Sequence, residues 1–148
     1  MKSAVLAILL FMAAVLAPPT ANAQDDDKPF AEAHIVLQLA DGDAASQERV
    51  LSVANNLIKH YGGPDFVDIE IVAYGPGLAL LFTGNENEER IDSLLANDVR
   101  FVGCLNTVES IERKTGTRPE LMPETIFVQT GVAQLVQRAQ QGFVVIRP

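Results

Sequence analysis

Two hydrophobic periods alternate along this chain from Ala33 onward. Ala33 to Leu39 (AHIVLQL) is a short apolar run of strand length, closed by Asp41-Gly42-Asp43, a turn with a possible helix cap. Val50, Leu51, Val53, Ala54, Leu57, Ile58 and Tyr61 then recur at the i, i+3, i+4, i+7 spacing of one helical face, and Gly62-Gly63-Pro64 stops that helix. Residues 68–74 (DIEIVAY) predict a second strand, ended by Gly75-Pro76-Gly77. A short apolar segment, Leu78 to Phe82, leads to a helix carrying Ile91, Leu94 and Leu95. Residues 100–104 (RFVGC) predict a third strand.

Asn106 and Glu109 have the N-cap and N3 spacing of a capping box, so a helix is expected from there through Ile111 to near Gly116. Residues 125–129 (TIFVQ) predict a fourth strand. Thr130 is placed to cap a helix bearing Val132, Leu135, Val136 and Ala139, with Gly142 at its C′ position, and residues 143–148 predict a fifth strand. Strands interleaved with helices imply right-handed βαβ crossovers and a mostly parallel sheet. The expected fold is a three-layer α/β/α sandwich with five strands and helices on both faces, whose doubly covered strands read as unbroken runs such as Val144-Val145-Ile146. Strand order does not follow from this pattern.

The first 32 residues have another character. Lys2, the apolar run Ala4 to Ala17, the Pro18-Pro19 break and Ala21-Asn22-Ala23 form a signal-peptide pattern with cleavage after Ala23. The apolar run is short for a membrane span. Residues 1–23 are therefore expected to be a signal peptide, 24–32 a disordered acidic linker containing Asp25-Asp26-Asp27, and 33–148 the folded domain. The expected address is periplasmic or secreted, with no membrane span after cleavage. Cleavage removes only Lys2 among the charged residues and takes the net charge from −8 to −9. Such a surface repels nucleic acid and anionic lipid.

Export gives the only cysteine, Cys104, its interest, because an oxidising compartment usually pairs cysteines. The predicted topology puts it at the carboxyl end of the third strand, where parallel sheets bind ligands and where a helix N-terminus favours an anion. A thiolate there would be a nucleophile. A lone cysteine can equally be a small buried hydrophobe, and both readings stand at this point. His34, at a strand start, and His60, at a helix end, are expected across the sheet from Cys104. That placement argues against a Cys-His hydrolase or a Cys-His metal site, and the chain has no spaced metal-ligand cluster.

Tyr74, Asn106, Thr107, Gln129 and Thr130 fall at strand ends or helix starts on the same side as Cys104 and are candidate hydrogen-bonding groups for a sulfur anion. Arg100 shares strand parity with Cys104, as a source of positive charge for the thiolate or as the strand's solvated start. Asp41 and Asp43 face the same crevice, as a cap with a solvated neighbour or as an acid pair. Gly75-Pro76-Gly77 follows a strand as a phosphate loop does, but Pro76 lacks an N–H and no Gly-Lys-Ser/Thr follows, which favours a plain turn.

In this order, AHIVLQLADGD, AYGPGLALL, VRFVGCLNT and TGVAQLVQRAQQGFVVIRP resemble the DsrE/DsrF-like family, which includes sulfur-relay proteins related to TusD. The resemblance spans Ala33 to Pro148. It implies an α/β/α fold, homo-oligomers, and a cysteine matched by Cys104 that carries sulfane sulfur as a persulfide and hands it to a partner's thiol. It implies no metal and no organic cofactor. The donor or acceptor would be a thiol protein or a small sulfur compound, since this chain holds no second cysteine. The competing expectation is an exported binding or scaffold module in which Cys104 is inert.

Overall fold

The computed structural model describes residues 28–148. The signal-peptide stretch, its cleavage point and Gln24 to Asp27 lie outside the described residues. The elements follow in the order β1 (Ala33–Leu39), α1 (Ala44–Tyr61), β2 (Val67–Ala73), a 3-10 segment (Gly75–Leu81), α2 (Glu88–Leu95), β3 (Arg100–Cys104), α3 (Leu105–Thr115), β4 (Ile126–Val128), α4 (Gly131–Gln140) and β5 (Val144–Ile146). All strand pairs are parallel and the sheet order is β4-β3-β2-β1-β5. This is the three-layer α/β/α sandwich that the alternating periods predict.

The order explains which helix lies where. From β1 to β4 the chain steps one way across the sheet, so crossovers of one hand put α1, α2 and α3 on one face. The connection from β4 to β5 runs back past every other strand to the far edge, and the same hand delivers α4 to the opposite face. The first face holds the main core: Ile35, Leu37 and Leu39 of β1, Ile69 and Ile71 of β2 and Phe101 of β3 pack on Val50, Leu51, Ala54 and Ile58 of α1, Ile91 and Leu94 of α2 and Val108 of α3. The second face has a small apolar centre, Val36, Val72 and Val102 beneath Leu135 of α4.

Local chemistry sets the boundaries. The Asp43 side chain accepts from the Ser46 N–H at 3.0 Å and caps α1, and Gly62 closes that helix in the left-handed conformation. Gly77 lets the 3-10 segment lie against β1, since a Cβ there would stand 2.3 Å from the Leu39 carbonyl oxygen. Two expectations are corrected. The linker expected to be disordered through residue 32 is packed from Lys28, whose ammonium donates to the carbonyls of Pro64 (2.9 Å) and Val67 (3.2 Å), while the Glu32 N–H donates to Phe66. Asn106 is not an N-cap: α3 starts straight from the strand with Cys104 itself in the capping position, and the Asn106 N–H donates to the Gln129 carbonyl at 3.1 Å. Among the described residues no helix is long and apolar enough to cross a membrane.

Candidate functional site

β3 and β4 are neighbours, yet the helices that leave them go to opposite faces. Their carboxyl ends therefore part at a topological switch point, the usual place for a ligand in an open parallel sheet. Cys104 ends β3 there. Its side chain is on the α4 face, in register with Val128 on β4, and Tyr74 directly follows Ala73, the β2 residue paired with Gly103.

Donors converge on this sulfur. The Gly131 N–H, first in α4, points at Cys104 Sγ over 3.3 Å, and Asn106 and Thr107 lie in the first turn of α3, which begins directly after the cysteine in that helix's cap position. Two helix N-termini thus face one atom, with their partial positive charge. Burial pushes the thiol up, but the Gly131 N–H, then Thr107 and Asn106, outweigh it and hold the Cys104 thiol below its ordinary range. One group works the other way: the protonated thiol can donate to the Gln129 carbonyl at 3.7 Å. That carbonyl already accepts from the Asn106 N–H, so ionisation does not leave it unpaired.

Gly131 is required by this approach. A Cβ on it would stand 3.1 Å from the Tyr74 Cβ and 3.3 Å from the Cys104 Cβ, so a larger residue would need α4 or these neighbours to give by a few tenths of an ångström. The sequence places Gly131 only as the start of a helix, and a glycine at N1 next to a strand-end cysteine is the signal that marks it.

The structure brings the other candidates together. Gln129 Nε2 donates to Asn106 Oδ1 at 2.7 Å, and Asn106 Nδ2 donates to Thr130 Oγ1 at 3.0 Å, so three exposed side chains link the first turn of α3 to the β4–α4 junction. Thr130 occupies the cap position of α4, but its hydroxyl serves Asn106 and not the helix. Thr107 Oγ1 accepts from the Gly75 N–H at 2.9 Å, tying the Gly75-Pro76-Gly77 turn to the site. The Tyr74 hydroxyl accepts from Gln38, and its ring lies beside Gly131. Cys104 itself is 5% exposed.

Other candidates fall elsewhere. Asp41 pairs with Arg147 at 2.7 Å on the surface, and Asp43 is a cap, so neither forms an acid pair. His34 bonds Asp68 over 3.3 Å, and that register position lies six residues, about 20 Å, before Tyr74. His60 stands on the last turn of α1 against Tyr61. Among the described residues no three His, Cys, Asp or Glu side chains are placed to share a metal ion. A cleft of about 710 Å³ opens at the other end of the sheet, between Lys28, Asp65, Asp98, Arg100, Glu124 and Ile126, away from the sulfur.

Arg100 does not serve Cys104 and is not a solvated strand start. It sits four residues, about 13 Å, from Cys104 on β3. Its guanidinium is held by Asp68 at 2.7 Å and Glu70 at 3.4 Å. These residues belong to an ionic layer under α4 that the strand pattern did not reveal: Glu70, wholly buried, also accepts from Arg138 and Gln134. Its sequence signal is the shared parity of Asp68 and Glu70 within an otherwise apolar strand.

The chain matches no protein-family model, and no curated protein matches it. Among solved structures it is similar to a protein of unknown function, MTH1491, from Methanobacterium thermoautotrophicum. The two are 26% identical over 79% of this chain and 100% of the other, with a TM-score of 0.70. The sandwich is therefore a fold found in a solved protein.

Proposed function

We propose that this protein is an exported sulfur carrier of the DsrE/DsrF-like kind, with Cys104 as its persulfide site. The single observation that carries this reading is the Gly131 N–H aimed at a sulfur that stands where the N-termini of α3 and α4 meet. A thiolate and a terminal persulfide are both anions, and the same donors stabilise either. In loading, Cys104 Sγ attacks the sulfane sulfur of a donor such as thiosulfate. The new S–S bond forms as the donor's S–S bond breaks, and the electron pair leaves with sulfite. Release is the reverse type of step: an acceptor thiolate attacks the outer sulfur and the Cys104 thiolate departs. Neither step needs an added oxidant or a metal.

Alkylation of the folded protein across pH, with intact mass after incubation with thiosulfate or polysulfide, tests it. The reading expects labelling with an apparent pKa below that of a free cysteine thiol and a reducible gain of one sulfur that Cys104→Ser abolishes. Absence of labelling until denaturation overturns it in favour of a scaffold module with an inert thiol, the reading that the 5% exposure of Cys104 favours.

Homo-oligomer formation belongs to the same proposal. Ile126, Phe127, Val132, Val136, Val144 and Val145 are exposed, and all fall in a stretch, 125–148, that contains none of the chain's 19 acidic residues. β4 and β5 are opposite edges of the sheet, so the part of this stretch that offers one face to a second copy is α4, with exposed Val132 and Val136.

A further inference from the structure

We infer that Glu70 is a positioning residue for Cys104: by gripping Gln134 and Arg138 it fixes α4 at the depth where the Gly131 N–H meets the sulfur. The chemical consequence rests on the sulfur-carrier reading, whereas the mechanical link does not.

Glu70 lies in the middle of β2 with no exposure to solvent. Its Oε1 accepts from Gln134 Nε2 at 2.8 Å, and its Oε2 accepts from Arg138 Nη2 at 2.7 Å and Nε at 3.0 Å. Gln134 and Arg138 are four residues apart on α4, so one carboxylate holds two successive turns of the same helix. A buried carboxylate is costly unless fully paired. The sheet does not require one at this site, because Val72, two residues on, fills the same face with an apolar side chain.

The helix needs such a hold. Among the described residues α4 is the only helix on its face, and Gly131 and Leu135 are its only buried residues. Val132 and Val136 point away to solvent, which leaves Leu135 as its one large apolar anchor. Gly131 is three residues, about 4.5 Å of helix rise, from Gln134. Any tilt released at the strut therefore reaches the N–H···S contact, which is 3.3 Å with the helix in place.

Mechanical and electrostatic effects of Glu70 have opposite signs. Glu70 is about 14 Å from Cys104, one strand over and four residues back, so its charge disfavours a thiolate weakly. Deleting that charge alone would make the thiol more acidic, whereas loosening α4 makes it less acidic.

Two variants isolate the mechanical part. Glu70→Asp keeps the charge but shortens the reach, and Gln134→Leu removes one arm of the strut without altering any charge. Each is measured by the pH profile of alkylation at Cys104 and by hydrogen exchange at the Gly131 amide, in protein whose circular dichroism matches the wild type. The expected result is an alkylation profile moved to higher pH, with the rate at pH 6.5 reduced about threefold to tenfold, and faster exchange at Gly131 while the β1 and β2 amides stay protected. Profiles and Gly131 exchange that overlay the wild type, or a thiol made more acidic, overturn the strut. If wild-type Cys104 stays unlabelled until denaturation, the carrier reading fails on its own, and the Gly131 exchange then decides the positioning claim.

Discussion

Glu70 and Ile71 are consecutive residues of β2, both wholly buried, and they face opposite layers. Ile71 joins a core of twenty buried apolar residues under α1, α2 and α3, where apolar packing against the sheet is the main hold on the helices. Glu70 faces a side with four such residues, where ionic and amide contacts to α4 supply what packing does not. Apolar burial tolerates small errors of position because it is non-directional, whereas a forked carboxylate–guanidinium pair works at one geometry. The side that needs the geometry is the one that carries the cysteine.

Conservative substitutions should break the symmetry of this pair most sharply. Ile71→Val removes one methylene from a packed layer and is expected to cost about 1 kcal/mol. Glu70→Gln keeps the shape but leaves Arg138 without its buried countercharge, while Arg100 keeps Asp68, which is expected to cost about 3 kcal/mol, the low end for broken buried pairs because the Arg138 guanidinium remains about a quarter exposed. Urea unfolding of the two variants checks this. Equal losses would show that the ionic layer is no more demanding than the apolar one.

Acid should separate the layers next. Burial raises the Asp68 carboxyl, but the hydrogen bond and charge of Arg100, and then His34, outweigh it and hold it below its usual range. A carboxyl whose folded pKa lies below its unfolded value of about 3.9 stabilises the fold fully above that pH, and its contribution is lost as pH falls through the folded pKa. Stability should therefore fall as pH drops below about 5, with a shallower fall in Asp68→Asn. Parallel slopes for the two proteins would remove Asp68 from the acid response.

Legibility followed the same division. β1 and β3 were readable to the residue, because doubly covered strands appear as unbroken apolar runs bounded by turn residues. The position of Cys104 at a strand end followed from that alone, and so did the group of residues near it. Strand order was not readable, since it depends on which edge α4 returns β5 to, a contact between distant parts of the chain. The start of α3 was misplaced by two residues because Asn106 and Glu109 mimic a capping box, while the cap position is taken by Cys104. The ionic layer escaped because its partners, Asp68, Glu70, Arg100 and Arg138, come from three separate elements. Gly131 escaped because its role is a close approach that only the packed helix reveals.

The smallest expected effect is also the most local. Thr107, on the first turn of α3, is among the groups that hold the Cys104 thiol below its ordinary range, and its hydroxyl accepts from the Gly75 N–H. Thr107→Val removes the hydroxyl and keeps the β-branched shape and the backbone donor, so one of several stabilising contacts to the sulfur is lost. The alkylation profile should move to higher pH by about half a unit, roughly a threefold loss of rate below the pKa. Thr107→Ser keeps the hydroxyl and should restore the wild-type profile, which separates the hydrogen bond from a change of packing. Should both variants react like the wild type, the acidity of Cys104 would come from backbone donors alone. The strut that sets the height of Gly131 would then matter more than any side chain at the rim.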